Sequence, residues 1–178
     1  MSETTSQAAS ARSAALDPYD QAYLRRVLDR AKRIAVVGAS PKPTRPSWMV
    51  SRYLKTRGYE VIPVNPAAEG QEILGRPARA SLAEVAAKDG AVDMVVIFRK
   101  SEAAGAVADE ALEAFGGRGL QTVWMQIGVR DEAAAARAEA AGVDVVMNRC
   151  PKMEISRFNG ELSRGGFNSG VISSKRRR

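Results

Sequence analysis

The segment VVGASPKPTRPS (residues 36–47) combines residue types that can hold an anion. A hydrophobic run ends at a glycine, and the loop that follows carries the cations Lys42 and Arg45. If a strand precedes this loop and a helix follows it, free backbone N–H groups and the positive end of the helix dipole point at the same place. A turn stiffened by prolines would also explain the segment, but the cations favour a phosphate ligand. The candidate phosphate-binding residues are Gly38, Ala39, Ser40, Lys42, Arg45 and Ser47.

The same segment argues against NAD. The dinucleotide fingerprint GxGxxG has three glycines, whereas this loop has only Gly38. An NAD site also places an acid near the end of the second strand, where it binds the ribose hydroxyls. Here the second hydrophobic run ends in Asn65-Pro66. In place of the glycines the loop has prolines at positions 41, 43 and 46, which restrict the free loop and so lower the ordering cost of binding.

Four more polar segments follow hydrophobic runs, namely Asn65-Pro66, FRKS, QIGV and NRCPK (148–152). In FRKS (98–101) two cations precede a serine that we expect to cap the next helix, and in QIGV (126–129) a glycine would let a narrow ligand lie against the backbone. Each segment also has a plainer interpretation, because Asn-Pro is a common turn and exposed cations are commonly solvated. Trp124, just before QIGV, is expected in the core. The further candidate site residues are Val64, Asn65, Pro66, Phe98, Arg99, Lys100, Ser101, Gln126, Gly128 and Val129.

Alternating helices and strands must position these segments. Five short apolar runs predict strands buried on both faces, and they read IAVVG, YEVIPV, VDMVVIF, LQTVWM and VDVVM. Helical patterns separate them, and a leading helix from Pro18 to Ala31, capped by Asp17, precedes the first. Parallel neighbours need crossover connections. The predicted fold is α/β, a Rossmann-like three-layer sandwich with a five-stranded parallel sheet and helices on both faces, and ligands in such folds bind beyond the carboxyl ends of the strands.

Length and composition predict one domain. The 178 residues fit a folded unit at residues 17–158, a polar and disordered segment at residues 1–16, and a Gly-rich basic extension at residues 159–178. Residues 151–178 hold seven Lys or Arg and two acids, so most of the net charge of +7 belongs to this end. Its last residues, SSKRRR, have no interleaved aromatic residues. We therefore expect a solvated basic end rather than nucleic-acid binding.

Several classes of chemistry are excluded. The chain has no histidine, and hence no catalytic triad, imidazole base or phosphohistidine. Its single cysteine, Cys150, excludes an internal disulfide framework and a cysteine-cluster metal site. No apolar run reaches the roughly 18 to 20 residues of a membrane span, and the start lacks the apolar core of a signal peptide. We expect a cytoplasmic protein that does not enter a membrane, binds no metal and has no catalytic constellation.

The chain resembles the small stand-alone coenzyme A-binding proteins in five segments, which occur in the order IAVVGAS, GYEVIPVNP, VDMVVIFRKSE, VWMQIGV and NRCPKMEISR. Their domain is similar to the Rossmann-like CoA-binding domain of the succinyl-CoA synthetase α subunit and of acyl-CoA synthetases. The resemblance covers about residues 20–158. It implies a phosphate loop at Gly38, Ser40, Lys42 and Arg45, a nucleotide contact at Val64, Asn65 and Pro66, an adenosine contact at residues 98–101, and a pantetheine contact at Gln126, Gly128 and Val129.

The function implied by the resemblance is binding of coenzyme A or an acyl-CoA. This ligand carries a pyrophosphate and a 3′-phosphate, about four negative charges, which suits a cationic loop. NADP shares that advantage, so an NADP-dependent oxidoreductase or another nucleotide-binding enzyme stays open as the alternative. The larger ligases use a phosphorylated histidine and ATP-grasp domains, so this chain is expected to bind without ligation. A homodimer is left open, and Cys150 fits a structural cysteine before a proline turn better than a disulfide partner of the CoA thiol.

Overall fold

A computed structural model describes residues 19–160 and confirms the α/β fold. Five parallel strands form the main sheet, in the spatial order β2-β1-β5-β6-β7, and a small antiparallel hairpin lies beside it. The order along the chain is β1 (Arg33–Val37), β2 (Glu60–Val64), β3 (Glu72–Ile73), β4 (Arg76–Pro77), β5 (Met94–Ile97), β6 (Thr122–Met125) and β7 (Asp144–Val146), with β3 and β4 forming the hairpin.

Six described helices cover both faces of this sheet, as predicted. They are α1 (Gln21–Arg30), α2 (Pro46–Thr56), α3 (Leu82–Lys88), α4 (Ser101–Phe115), α5 (Glu132–Ala140) and α6 (Pro151–Phe158). Alternate side chains of each strand enter opposite cores. Ala35 and Val37 pack in the core with α3, α4 and α5, whereas Ile34 and Val36 pack in the core with α1, α2 and α6. The result is the expected three-layer sandwich.

Helix α2 begins and ends where the sequence signals predict. Pro46 occupies its first turn, and Gly58 follows its end with a φ of 89°. Proline suits the first turn because that position lacks an intrahelical acceptor for its N–H, and glycine suits the left-handed conformation just beyond the last turn. The predicted loop of residues 38–45 is therefore held between a buried strand and a fixed helix start.

The first helix begins later than predicted. Its N-cap is Asp20, whose carboxylate accepts a hydrogen bond from the Ala22 N–H at 3.0 Å, so the predicted start at Pro18 is wrong. Tyr19 is excluded from the helix because its hydroxyl accepts a hydrogen bond from the Met147 N–H at 2.8 Å. The predicted cap, Asp17, and the segment of residues 1–16 lie outside the described residues, as does most of the predicted C-terminal extension.

Helix α6 replaces the turn that we expected after Cys150. Proline at position 151 takes the first helical position, and Ile155 turns inward with 8% of its surface exposed. A proline after a strand is compatible with either a turn or a helix start. The burial of Ile155 in the core that also contains α1 and α2 favours the helix. This helix lies in the same helical layer as α1 and α2.

Helix α1 closes one edge of the sheet. The Tyr23 hydroxyl donates to the Val145 carbonyl oxygen at 3.1 Å, and the Arg30 guanidinium pairs with Asp144 at 2.6 Å. Burial raises the pKa of the Tyr23 phenol above its usual range, with the Asp144 carboxylate adding to the shift. These contacts use backbone and side-chain groups of β7 that an open edge would leave to solvent.

Strand order reverses between β1 and β5. The chain leaves β1 for β2 on one side and returns to β5 on the other, so the loops that follow β1 and β5 diverge to opposite faces. This point of reversal is where open α/β sheets bind ligands. Within residues 19–160, no helix has the length and apolarity needed to cross a bilayer, and no cluster of metal-ligating side chains occurs.

Candidate functional site

Gly38 brings the loops after β1 and β5 together at the point where strand order reverses. Its φ is 86°, and its N–H donates to the Val64 carbonyl oxygen at 2.9 Å. A Cβ at this position would collide with the backbone carbonyl of Phe98. Phe98 is fixed in turn by its N–H, which donates to the Val37 carbonyl oxygen at 2.8 Å. Glycine is therefore needed here both for its conformation and for the space it leaves.

Asn65 joins the loop after β2 to the loop after β1. Its side-chain amide donates to the Ala39 carbonyl oxygen at 2.8 Å, while its side-chain oxygen accepts from the Ala67 N–H at 3.1 Å. Pro66 opens a single 3-10 turn that ends at Ala68. Asn65 is thus both a turn residue and a link between two candidate loops. Ala39 itself is buried, with 1% of its surface exposed.

Some polar groups of the loop after β1 form hydrogen bonds within the protein, and others are left for a ligand. The Ser40 hydroxyl accepts the Lys42 N–H at 3.2 Å, so it stabilises the loop itself. Ser47 is 3% exposed and lies in the first turn of α2, where its N–H has no intrahelical acceptor. Arg45 is the N-cap residue of α2 and contributes no side-chain hydrogen bond to the helix. The loop offers a helix start and two exposed cationic side chains.

Ser101 links the loop after β5 to the loop after β6. The N-cap of α4 is Lys100, without a side-chain cap, so the prediction that Ser101 caps this helix is wrong. The Ser101 hydroxyl instead donates to the Gly128 carbonyl oxygen at 3.3 Å and accepts from the Arg130 N–H at 3.1 Å. These two contacts outcompete the local cap because they satisfy backbone groups of the neighbouring loop.

Asn148 is a functional candidate that begins the segment NRCPK but was not among the site residues predicted from the sequence. It has a φ of 56°, which asparagine tolerates better than most residues. Its side-chain oxygen accepts from the Gly128 N–H at 2.8 Å, and its own N–H donates to the Val129 carbonyl oxygen at 3.2 Å. An asparagine directly after a strand is the sequence signal that could have identified it. Asn148 and Ser101 hold the loop of residues 126–129 from two sides.

Gln126 leaves one buried acceptor unused. Its side-chain oxygen is inaccessible to solvent and has no hydrogen-bond partner among residues 19–160. Leaving a buried acceptor unpaired costs about 1 to 3 kcal/mol. The cost would be recovered by a ligand that brings an N–H or O–H donor to this loop. Val129 is buried nearby in sequence, at 7% exposure, while Gly128 is exposed.

Four cations of the candidate site have no counter-ion among residues 19–160. Among the described residues, the side chains of Lys42, Arg45, Arg99 and Lys100 form neither ion pairs nor hydrogen bonds, in contrast to Arg130, which pairs with Glu132 at 3.0 Å. Lys42, Arg45 and Lys100 are exposed and Arg99 is partly buried. Four unpaired cations along one edge, next to a helix start, form a surface that attracts a phosphorylated anion.

Two further sequence predictions concern residues next to the site. Trp124 is fully buried, as predicted, and its indole N–H donates to the Arg149 carbonyl oxygen at 2.8 Å. Cys150 is 6% exposed and packs in the core with α1 and α2, as expected of a structural cysteine. Both side chains are buried in the core that contains α1, α2 and α6.

The residues at the carboxyl ends fit a CoA-type ligand. The candidate residues predicted from the sequence lie at the carboxyl ends of β1, β2, β5 and β6, either in the last strand residue, in the loop that follows or in the first turn of the next helix. Hydrogen bonds or close backbone contacts join each of these loops to a neighbour. The unpaired cations suit phosphates, and the vacant Gln126 oxygen suits a ligand with amide donors. When bound, such a cofactor would supply a thiol or thioester, while the protein side chains bind and orient it.

The chain is similar to known proteins both in sequence and in fold. A family model described as a CoA binding domain matches residues 32–156. The uncharacterized protein YneT of Bacillus subtilis is 41% identical over 133 residues, which make up 75% of this chain and 92% of YneT.

Two solved structures are also similar. A protein of Thermus thermophilus is 37% identical with a TM-score of 0.70, covering 78% of this chain and 98% of that one. A hypothetical protein of Pyrococcus horikoshii is 35% identical with a TM-score of 0.71, covering 82% of this chain and 96% of that one. On the extent of the family match and on its identity with YneT, the chain belongs to the family of CoA-binding domain proteins.

Proposed function

We propose that this protein binds coenzyme A or an acyl-CoA at the carboxyl ends of the sheet strands and does not ligate it. The observation that carries the proposal is a set of four cations that have no counter-ions within the described part of the chain and that lie in the loops after β1 and β5, where strand order reverses. A protein keeps like charges unpaired at a cost, and a ligand with several phosphates would offset that cost.

The phosphates would lie against the loop of residues 38–47. Arg45 is positioned at the start of α2, where the guanidinium can form a charge-assisted hydrogen bond with an anion that also meets the helix dipole. Arg99 and Lys100 approach from the loop after β5, which the Gly38 contact holds close. We propose that these two loops share the phosphate charge of the ligand.

The pantetheine arm would lie along the loop of residues 126–129. The pantetheine arm contains amide N–H groups, and one of these could donate a hydrogen bond to the side-chain oxygen of Gln126, which has no donor among the described residues. NADP carries a comparable phosphate charge but has no amide in the chain that joins its phosphates to its reactive group. This difference favours CoA over NADP at the site.

The proposal stops at binding, because the chain contains no histidine to carry a phosphoryl group. We predict that the protein is located in the cytoplasm. Whether it forms a homodimer is left open. Nucleic-acid binding by the basic end is not part of the proposal. If the intact protein did bind DNA or RNA, deletion of residues 173–178 should abolish the salt-sensitive part of that binding.

Calorimetric titration of ligand-stripped protein with CoA, dephospho-CoA, NAD and NADP tests the proposed function. We expect CoA to bind tightest, dephospho-CoA to bind more weakly because it lacks the 3′-phosphate, and NAD to be weakest. Tighter binding of NADP than of CoA would replace the proposal with a nucleotide-dependent enzyme.

A further inference from the structure

A cavity lies between α2 and the edge strand β2, away from the candidate CoA-binding loops. The β3–β4 hairpin covers it, and its volume is about 180 Å³. Ser51 and Lys55 of α2 line one wall, and Val61, Ile73 and Leu74 are among the apolar residues of the others. None of the candidate CoA-binding residues lines this cavity.

Ser51 gives the cavity a polar group that the fold does not use. The residue is 1% exposed, and its hydroxyl has no hydrogen-bond partner among residues 19–160. A serine inside a helix ordinarily bonds to a carbonyl of the preceding turn or faces water. Alanine would pack as well here and would favour the helix more. An unpaired, buried hydroxyl in a cavity wall indicates a ligand that brings its own polar atom.

Lys55 places a positive charge one helical turn from this hydroxyl. Residues four apart on a helix have Cβ atoms about 5 to 6 Å apart, so a single carboxylate can reach both side chains. The Lys55 ammonium donates to the Leu74 carbonyl oxygen at 2.6 Å and forms no ion pair with a described residue. Two of its N–H donors are thus left for a ligand.

The other charges at the cavity mouth are already neutralised. Glu60 pairs with Arg33 at 2.9 Å and also with Arg76. Hydrogen bonding from Arg33 holds the pKa of the Glu60 carboxyl below its usual range, so this residue stays charged and paired. Lys55 is therefore the cation at the mouth that is open to an anionic ligand.

The hairpin tip forms a cover that Lys55 holds in place. Leu74 has a φ of 53°, a left-handed conformation that is unfavourable for leucine, and Gly75 follows with a φ of 84°. The tip is tied to α2 through the Lys55 contact with the Leu74 carbonyl. This strained leucine presents an apolar side chain beside Ile73, where the aliphatic part of a small ligand would pack.

From these observations we propose that the cavity under the β3–β4 hairpin binds a short aliphatic carboxylate, whose carboxylate group bonds to Ser51 and Lys55 and whose alkyl group packs on Ile73 and Leu74. The ligand class is set by one hydroxyl, one open cation and apolar walls in a small volume. This site is separate from the proposed CoA site, so either can be wrong without the other.

Methyl NMR of Ile73 and Leu74 during titration with isovalerate tests the proposal. We expect saturable shifts of these methyl groups and binding about tenfold weaker in Ser51→Ala and in Lys55→Gln, as the loss of one charge-assisted hydrogen bond predicts. The neutral isostere 3-methylbutan-1-ol should bind at least about tenfold more weakly than isovalerate, since it lacks the charge. Arg52→Gln, on the same helix but outside the cavity, should bind like the native protein.

Stability separates a binding role of Ser51 from a structural one. If the hydroxyl serves a ligand, Ser51→Ala without isovalerate should raise Tm by about 2 to 4 °C, because an unpaired buried polar group is removed. Absence of saturable shifts, equal affinity of Ser51→Ala and native protein, equal binding of the alcohol, or a lower Tm of Ser51→Ala would each overturn the proposal.

Discussion

At the amino ends of the strands, arginines form ion pairs, whereas at the carboxyl ends four cations have no partner among the described residues. Arg33 pairs with Glu60 at 2.9 Å, and Arg30 pairs with Asp144 at 2.6 Å. Asp93 accepts the backbone N–H groups of Lys32 and Arg33, both at 2.8 Å. At the opposite edge, the four cations Lys42, Arg45, Arg99 and Lys100 lack such partners among the described residues. The same fold thus satisfies its charges where they only stabilise it and leaves them open where a ligand would bind.

The largest expected effect comes from the glycine that brings the carboxyl-end loops together. Gly38→Ala should lower the free energy of unfolding by about 3 kcal/mol or more, because its Cβ would collide with the Phe98 carbonyl and its backbone is left-handed. Urea denaturation measures this loss. Gly58→Ala is the matched control, with a φ of 89° and open space around its Cβ, and should cost about 1 kcal/mol. Equal losses in the two variants would mean that the close contact of the loops is not what Gly38 provides.

Exchanging one arginine at each end should separate binding from stability. Arg45→Ala should weaken CoA binding by about 1 to 3 kcal/mol and leave the free energy of unfolding nearly unchanged, because we propose that Arg45 binds a phosphate and it has no partner among the described residues. Arg33→Ala should lower stability by about 1 to 2 kcal/mol and leave CoA binding unchanged, since its bonds go to Glu60 and to backbone carbonyls. Calorimetry and urea denaturation on both variants give the comparison. The contrast between the two ends fails if Arg45→Ala loses stability without losing affinity.

Acid should lower the free energy of unfolding by breaking ion pairs such as that of Arg79 with Asp89. A bidentate hydrogen bond from Arg79, at 2.6 and 3.0 Å, lowers the pKa of the Asp89 carboxyl. A lowered pKa in the folded state contributes stability above the unfolded value near about 4, and this stability is lost as the pH falls through the folded pKa. The free energy of unfolding should therefore fall below about pH 4, by about 1 to 2 kcal/mol from this pair. Asp89→Asn should be less stable at pH 7 and show a smaller fall, and an unaltered fall would exclude Asp89 as its source.

The smallest effect concerns the vacant acceptor. Gln126→Met keeps the shape of the side chain and removes the buried oxygen, so the ligand-free protein should gain about 1 kcal/mol of stability. CoA binding should weaken by a similar amount because an amide donor loses its acceptor. Thermal unfolding with and without CoA measures both changes. A variant that is less stable and binds CoA normally would show that the Gln126 oxygen serves the fold.

The fold was largely predictable because its signals are local. Hydrophobic runs predicted all five strands of the main sheet, and Pro46 with Gly58 predicted the limits of α2. Other features depend on contacts between distant parts of the chain. The Tyr19 hydroxyl bonds to Met147 and keeps the first turn of α1 from starting earlier, which no local pattern indicates. The two-residue strands of the hairpin are too short to have a recognisable period.

The candidate site was predictable by loop but not by side-chain role. Strand ends identify which segments meet at one edge, because parallel strands share a direction. Whether a polar side chain is spent on the fold or left open depends on its neighbours. The side chains of Asn65 and Ser101 form hydrogen bonds with adjacent loops, whereas the side-chain oxygen of Gln126 has no hydrogen-bond partner among the described residues. Asn148 contacts Gly128 across 20 residues of chain, so its role could be found only in three dimensions.

A crystal structure of the complex with CoA tests the central claim most directly. The account predicts phosphate oxygens within hydrogen-bonding distance of Arg45 at the start of α2, with further phosphate contacts from the loop after β5. It also predicts a pantetheine N–H that donates to the Gln126 side-chain oxygen. CoA bound elsewhere on the protein, or bound at this edge with Arg45 and Gln126 both free of it, would contradict the claim that the open groups are reserved for the ligand.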